Sequence, residues 1–410
     1  MNENQFAKLK ALLQRVQKNS TFYQEKFKKA GFQAEHVQEP ADMAQIPFTT
    51  KEELREAYPL NIQAVPDEDV VRIHSSSGTT GKPIIIPYTA KDVDDWAEIM
   101  RRCLWVAGVT AKDRVQITPG YGLWTAGIGF QTGVERLGAM AIPMGPGNTE
   151  KQLQMMIDLE STAITATSSY ALLLAEEIHK RGLKDQIKLR KAILGSERWG
   201  EKMRARISEE LGVELYDIYG LTEIYGPGIS ISCSAANGLH YWEDYLFFEI
   251  INPQTGENVP EGEYGELVIT TLTKEGAPLL RYRTRDITRL LPGQCPCGLE
   301  HPRHDVILGR TDDMVKVKGV NIYPGQVDDV LKHIEGISSE YQIVLAREEG
   351  KDNMLLRFEQ KEGYDSAALE GRVKKYFKTK VGLSIGAEAL PIGGLPRSEK
   401  KTARVIDNRY

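Results

Sequence analysis

Ser75-Ser76-Ser77-Gly78-Thr79-Thr80-Gly81-Lys82-Pro83, running into Ile84-Ile85-Ile86, is the stretch from which the architecture can be read. Two glycines let the backbone bend until several amide N–H groups converge, and five hydroxyls and one ammonium add donors around a polyphosphate. The spacing differs from the common nucleotide-hydrolase loop, where Gly, four residues and Gly-Lys precede a Ser or Thr that holds magnesium. Here Gly78-x-x-Gly81-Lys82 is followed by Pro83. Proline has no N–H and disfavours helix at the residue before it, so no helix starts there to aim its dipole at a phosphate. Ile84–Ile86 reads as a strand leaving the loop. The expectation is a hairpin whose tip grips phosphates; the alternative is a Ser/Thr/Gly-rich turn without a ligand.

Outward from this hairpin, strand-like and helix-like runs alternate between about Lys91 and Tyr219. Val115-Gln116-Ile117, Met140-Ala141-Ile142, Ile164-Thr165-Ala166 and Ala192-Ile193-Leu194 are short apolar strands. Glu150–Leu159, Tyr170–Arg181 and Glu201–Leu211 have helical periodicity. Such alternation predicts an α/β fold with parallel sheet covered by helices. Before the hairpin, Phe6, Leu9, Leu13 and Val16 share one face of an opening amphipathic helix. From Leu239 to Leu308, strands punctuated by turns predict a distorted antiparallel barrel or sheet. After Gly309-Arg310-Thr311-Asp312-Asp313 comes a pattern of strand, helix, two strands, helix and final strand, which fits a small α+β lid. The division expected is a large domain over residues 1–310 and a small mobile one over 311–410.

The chain has 410 residues, 41% hydrophobic and 27% charged, enough for more than one domain and near a soluble average. A net charge of -5 argues against a nucleic-acid binder that depends on bulk charge. No apolar run approaches the length of a membrane span, and the polar start Met1-Asn2-Glu3-Asn4 does not resemble an export leader. Cys295 and Cys297 are too close to pair comfortably, which points to a reducing compartment; the cytoplasm is the expected location. Cys103, Trp96 and Trp105 read as packing residues.

Three constellations carry chemistry. Tyr219-Gly220-Leu221-Thr222-Glu223 is expected just after the strand Val213–Ile218, at the carboxyl end where α/β sheets bind ligands. There an aromatic can stack on a base, a hydroxyl can meet phosphate and a carboxylate can hold Mg²⁺. Arg281-Tyr282-Arg283-Thr284-Arg285-Asp286 places at a strand end an Asp able to accept both hydroxyls of a ribose, or else an ordinary ion-pair network. Cys233-x₆-His240 and Cys295-Pro296-Cys297 offer three thiolates and an imidazole, the donor set of a structural Zn²⁺ site. Cys295, Cys297, His301 and His304 form an alternative local set, and simple burial of thiols a third reading.

These motifs, with Tyr121-Gly122-Leu123-Trp124, Pro143–Glu150, Gly309–Gly319 and Pro396–Arg404, resemble in kind and order the adenylate-forming enzymes. That superfamily comprises acyl- and aryl-CoA synthetases, nonribosomal-peptide adenylation domains and luciferases, and the chain is most similar to the phenylacetate–CoA ligase family. The resemblance implies ATP, Mg²⁺ and CoA as cofactors and a small aromatic carboxylic acid as substrate. It implies that Ser76, Ser77, Gly78, Thr79, Thr80, Gly81 and Lys82 cradle the β- and γ-phosphates. Gly195, Ser196 and Glu197 would line the adenine pocket, with Tyr219 stacked on the base beside Gly220. Thr222 would touch phosphate, Glu223 would hold Mg²⁺, Asp286 the ribose, and Arg310 ribose or phosphate. Asp312 would be the hinge, with Lys316 and Gly319 on the cofactor side of it. Lys401 matches the family's catalytic lysine, although Glu399-Lys400-Lys401 stands where Glu-Gly-Lys is expected.

Tyr121, Trp124, Ile128 and Phe130 would shape the aryl pocket, the neighbouring glycines leaving room for a flat ring. Gln131 replaces the histidine expected after that phenylalanine. Some relatives carry the same Cys₃His set, with zinc stapling the turn-rich region. A homodimer is the expected assembly. Two other activities fit the motifs: a ligase using an amine or carrier-protein thiol as acceptor, and a nucleotide-binding protein without turnover.

Overall fold

The computed structural model describes residues 1–76, 82–312, 314–317, 320–348, 351–397 and 404–409. They fall into two compact units, Met1–Gly145 with Tyr216–Val306, and Pro146–Leu215 with Ile307–Tyr410.

The first unit opens with the expected helix, Glu3–Asn19. Leu9, Leu13 and Val16 are fully buried, and Asn2 and Gln5 form a reciprocal cap in which each side chain accepts the other's amide at 2.9 Å. Strands Val70–Ser75 and Ile85–Thr89 pair antiparallel, so the phosphate motif does join the two strands of a hairpin. Thr89 then caps helix Ala90–Val106, its hydroxyl accepting the Asp92 amide at 3.1 Å. The Asp92 carboxylate returns to the Thr89 amide at 3.0 Å and also accepts the amides of Glu275 and Gly276 at 2.7 and 2.8 Å. One buried carboxylate therefore ties the helix start to a distant loop. Trp96 and Cys103 on this helix are fully buried, as expected, but Trp105 is 56% exposed and packs little.

Helix Ala126–Leu137 lies close against Ala90–Val106 because its contact face is glycine. A Cβ on Gly129 would stand 2.4 Å from the Trp96 ring, and one on Gly133 2.5 Å from the Met100 Cβ. Arg114–Ile117 and Met140–Pro143 form a parallel pair. The turn-rich region is antiparallel: Leu290–Leu291, Arg303–His304, Leu239–Tyr241, Gly226–Ser232 and the end of Glu214–Leu221 pair in that order. A second antiparallel sheet joins Leu246–Ile251, Gly265–Thr271 and Tyr282–Thr288. Every residue of its central strand is buried, so both faces are covered.

In the second unit, parallel strands Ala163–Thr167 and Lys191–Gly195 are covered by helices Thr149–Asp158, Ser168–Lys180 and Glu201–Leu211. Ile164, Leu194, Tyr170, Leu174, Met203 and Ile207 share one core. The C-terminal module has helices Pro324–Leu331 and Ser366–Val381 on a four-stranded sheet. Its order is Gly386–Pro391, Lys351–Gln360, Ile337–Glu348, Val405–Asp407, with an antiparallel central pair and parallel edges. The sequence pattern anticipated one final strand; two are present, and Val320–Ile322 additionally pairs with Val315–Val317. Three-residue strands carry too little periodicity to register.

Candidate functional site

Ser76 closes the neck of the phosphate hairpin. Its amide donates to the Ile84 carbonyl and its hydroxyl accepts the Ile84 amide, both at 3.0 Å. Ser77, Gly78, Thr79, Thr80 and Gly81 lie outside the described residues. Lys82 places its ammonium 5.4 Å from the centre of the Tyr58 ring. One residue before the neck, the Ser75 amide and His74 Nδ1 both reach the Leu123 carbonyl, at 2.8 and 3.1 Å. Burial lowers the His74 pKa, which keeps the ring neutral and its Nδ1 a donor.

Tyr219 and Asp286 meet: the phenol donates to the buried carboxylate at 2.5 Å. Two refinements of position follow. Strand Glu214–Leu221 extends through Tyr219, Gly220 and Leu221, so the motif begins inside the strand rather than after it. Asp286 likewise sits within Tyr282–Thr288, not at its end. Arg281 pairs with Glu249, Arg283 with Glu266 and Arg285 with Glu52, so each of the three arginines has a glutamate of its own. Gly220 is sterically obligatory, since a Cβ there would lie 2.1 Å from the Gly226 carbonyl oxygen. Gly226 has φ +94°, and a Cβ on it would meet the Thr125 Cβ at 2.5 Å.

Thr222 and Thr125 share a hydroxyl contact of 3.4 Å. Glu223 is 4% exposed and its carboxylate is 3.3 Å from the Lys51 ammonium. The next carbonyl, of Ile224, accepts from Lys274. Lys274 is fully buried, with its nitrogen 4.4 and 4.9 Å from the Tyr88 and Tyr225 ring centres. Burial pulls its pKa down to about 7, against the opposing pull of Asp92 and Glu223. Neither lysine was anticipated. Lys51 reads as the first residue of a capped helix, and Lys274 falls in Thr273-Lys274-Glu275-Gly276, a turn by composition. Only the fold reveals that both flank Glu223.

The residues expected to wall the acid pocket diverge. Tyr121 is partly buried, with a hydroxyl that has no partner among the described residues, and burial raises its pKa to about 12. Trp124 is 52% exposed, Ile128 is intermediate and Phe130 is core at 3%. Gln131 bonds Glu135 one turn along the helix at 2.8 Å. Two of the glycines here do not leave open space, since a Cβ on Gly120 would meet the Trp124 ring at 2.8 Å and one on Gly127 the Tyr121 ring at 2.6 Å, whereas a Cβ on Gly122 would meet nothing within 4 Å.

In the second unit, strand Lys191–Gly195 ends at Ser196, whose φ of +71° is a left-handed conformation rare outside glycine. Glu197 holds that turn to helix Ser168–Lys180, accepting the Ser169 amide and hydroxyl at 2.7 and 2.8 Å. Arg310 and Asp312 form a bidentate pair at 2.8 and 3.2 Å. The Lys316 side chain is exposed, and its carbonyl accepts from Arg409 at 2.7 Å. Gly319, Lys400 and Lys401 lie outside the described residues.

Cys233, His240, Cys295 and Cys297 converge, with their ligand atoms all within 4.8 Å of one another. The Cys233 and Cys295 sulfurs are 3.6 Å apart, and Cys297 Sγ is 3.3 Å from His240 Nε2. Sulfurs bound tetrahedrally to zinc at about 2.3 Å sit about 3.8 Å apart, so the donor set fits that ion. The His240 Nδ1–H donates to the His301 carbonyl at 2.7 Å, which leaves Nε2 facing the thiols. The alternative set is not assembled. His301 bonds Glu243 at 2.8 Å, and His304 bonds Ser230 and the Asp305 carbonyl at 2.6 and 2.7 Å. His304 is committed by its strand, Arg303–His304, and His301 by its bond to Glu243 in the bend before that strand.

Residues 3–273 match the family described as AMP-binding enzyme, and residues 319–409 match the AMP-binding enzyme C-terminal domain. The phenylacetate-coenzyme A ligase of Escherichia coli strain K12 is 42% identical over 99% of this chain and 94% of its own. That of Thermus thermophilus is 42% identical over 98% and 95%. Among solved structures, 2-hydroxyisobutyryl-CoA ligase in its postadenylation state, holding an acyl-AMP, matches with a TM-score of 0.89 at 28% identity, over 99% of this chain and 89% of that one. The same ligase in its thioesterification state, with acyl-AMP and CoA, matches at 0.72 with 29% identity over the same shares. No helix among the described residues is long and apolar enough to cross a membrane.

Proposed function

The chain belongs to the AMP-binding enzymes, within the phenylacetate–CoA ligase family, and from that premise we propose that phenylacetate or a close aryl relative is the acid it activates. It is an AMP-forming acid–thiol ligase. In the first step a carboxylate oxygen bonds to the α-phosphorus of ATP and pyrophosphate leaves. In the second the CoA thiol attacks the acyl carbonyl, the acyl–oxygen bond to phosphate breaks, and AMP leaves.

The observation that carries the site assignment is the pairing of half-buried Tyr219 with buried Asp286, beside Thr222 and Glu223 in the chain. Its phenol and carboxylate suit an adenosine, the ring offering a face to the base and the carboxylate an acceptor pair to the ribose. Thr222 donates its hydroxyl to a phosphate oxygen. Lys51 neutralises Glu223 in this structure, which marks that carboxylate as a place for positive charge. Mg²⁺ held there would supply that charge to the phosphates. Lys401 would stabilise the charge that builds as the oxygen–phosphorus bond forms, with positioning supplying much of the rest. Ser196, Arg310 and the 311–410 module complete the nucleotide side in this reading. Cys233, His240, Cys295 and Cys297 would hold a structural Zn²⁺ that staples the turn-rich strands, which free thiols in a reducing cytoplasm would permit.

A carboxylic-acid panel assayed for ATP-dependent pyrophosphate release tests the substrate. Phenylacetates should lead, and thioester should form when CoA is added but not when simple amines are. Release with aliphatic acids alone would overturn the aryl assignment. Metal analysis of the purified protein should find about one zinc per chain; a metal-free, fully stable protein would return the thiols to ordinary burial.

A further inference from the structure

The segment that bears Lys401 is bracketed by two arginines, Arg397 and Arg404, and their anchors differ. Arg397 donates to both oxygens of Glu359 at 2.8 Å and to both oxygens of Glu176 at 2.8 and 3.0 Å. Glu359 is fully buried and also accepts the amides of Gly393 and Leu395 at 3.0 Å, so this half of the anchor lies within the C-terminal module. Glu176 belongs instead to helix Ser168–Lys180, outside the module, where Arg206 holds it at 2.7 Å. Among the described residues, Arg404 donates to two of the module, the Tyr341 carbonyl at 3.2 Å and Glu340 at 3.4 Å.

We propose that Glu176 is a positioning residue for the first half-reaction: its pair with Arg397 is the releasable latch that holds the Lys401 segment in place for adenylation. Lys401 is four positions beyond Arg397, within about 14 Å even for a fully extended chain. Fixing Arg397 thus limits where the lysine can go. The Glu359 half of the anchor travels with the module, whereas the Glu176 half breaks if the module turns away. A latch made of charged hydrogen bonds, rather than apolar surface, can part into water at modest cost.

The inference rests on the two-step reading above. In full-length Glu176→Gln, pyrophosphate release from ATP and phenylacetate should fall about tenfold, in kcat rather than in the KM for ATP. Thioester formation from supplied phenylacetyl-adenylate and CoA should be unchanged or faster. Unaltered release, or an equal fall in both steps, overturns the latch. Should Glu176→Gln melt at lower temperature, Arg397→Lys keeps the charge and is to show the same one-sided loss; a two-sided loss there also overturns it. Wild-type protein that releases no pyrophosphate with any acid sinks the two-step reading itself, a result distinct from a normal wild type with an unaffected variant.

Discussion

Tyr219 and Asp286 lie 67 residues apart on two strands and meet in a hydrogen bond to a buried carboxylate, whereas Tyr121, Trp124, Ile128 and Phe130 are neighbours in sequence that the fold sends to different environments. Trp124 is half in solvent and Phe130 is core, and the glycines between them are filled by the rings beside them. A carboxylate or phenol on a strand announces its chemistry by residue type. A pocket wall is defined by shape, and shape is settled by packing that a single stretch of sequence does not contain.

The strongest way to break this contrast is Lys401→Ala. Adenylation should fall by about 10²–10³-fold while thioester formation from supplied acyl-adenylate persists. Equal loss in both half-reactions would remove Lys401 from the nucleotide side. Asp286→Asn should raise the KM for ATP about tenfold and leave the KM for the acid within about twofold; a changed acid preference would dissolve the division between the two sides. On the acid side, Trp124→Ala should leave stability within about 0.5 kcal/mol, because the ring is exposed, yet shift relative rates among ring-substituted phenylacetates several-fold. An unchanged acid profile would make Trp124 a surface residue with no part in selection.

The smallest effect is expected in the strands next to the Cys₃His cluster. Burial lowers the His304 pKa to about 4, while an unfolded histidine titrates near 6.5. Between those values the unfolded chain holds more protons, so stability falls as pH drops from about 6.5 to 4. Denaturant melts at pH about 7 and 4.5 should show wild type losing on the order of 2 kcal/mol more than His304→Gln, with neither KM altered. Parallel losses would show that His304 is protonated in the folded state.

Much of the fold was legible because its signals are periodic. Four strands and three helices between residues 115 and 211 lie where apolar spacing puts them, as does the opening helix, whereas helix Ala126–Leu137 was not legible because its glycines blur the periodicity. The short strands Val320–Ile322 and Val405–Asp407 were not legible, since three residues carry no period. Trp105 reads as core by composition, yet it is exposed near the end of its helix. Among site residues, Tyr219, Thr222, Glu223 and Asp286 were visible as motifs. Lys51 and Lys274 were not, because a lysine in a helix start or a turn is ordinarily solvated, and only tertiary placement puts Lys51 against the Glu223 carboxylate and Lys274 against the Ile224 carbonyl. The zinc-type cluster was legible as a donor set, but the choice between its two versions rests on tertiary contacts, which commit His301 to Glu243 and His304 to Ser230.

A methyl group on Gly220 would strike the Gly226 carbonyl oxygen and one on Gly226 the Thr125 side chain, so neither position tolerates one. The crossing of those two strands is therefore closed to evolutionary tinkering: any descendant of this sequence keeps the same floor beneath Tyr219 and Thr222. New appetites for other acids must be acquired elsewhere, and the half-exposed indole of Trp124 is the freer place to begin.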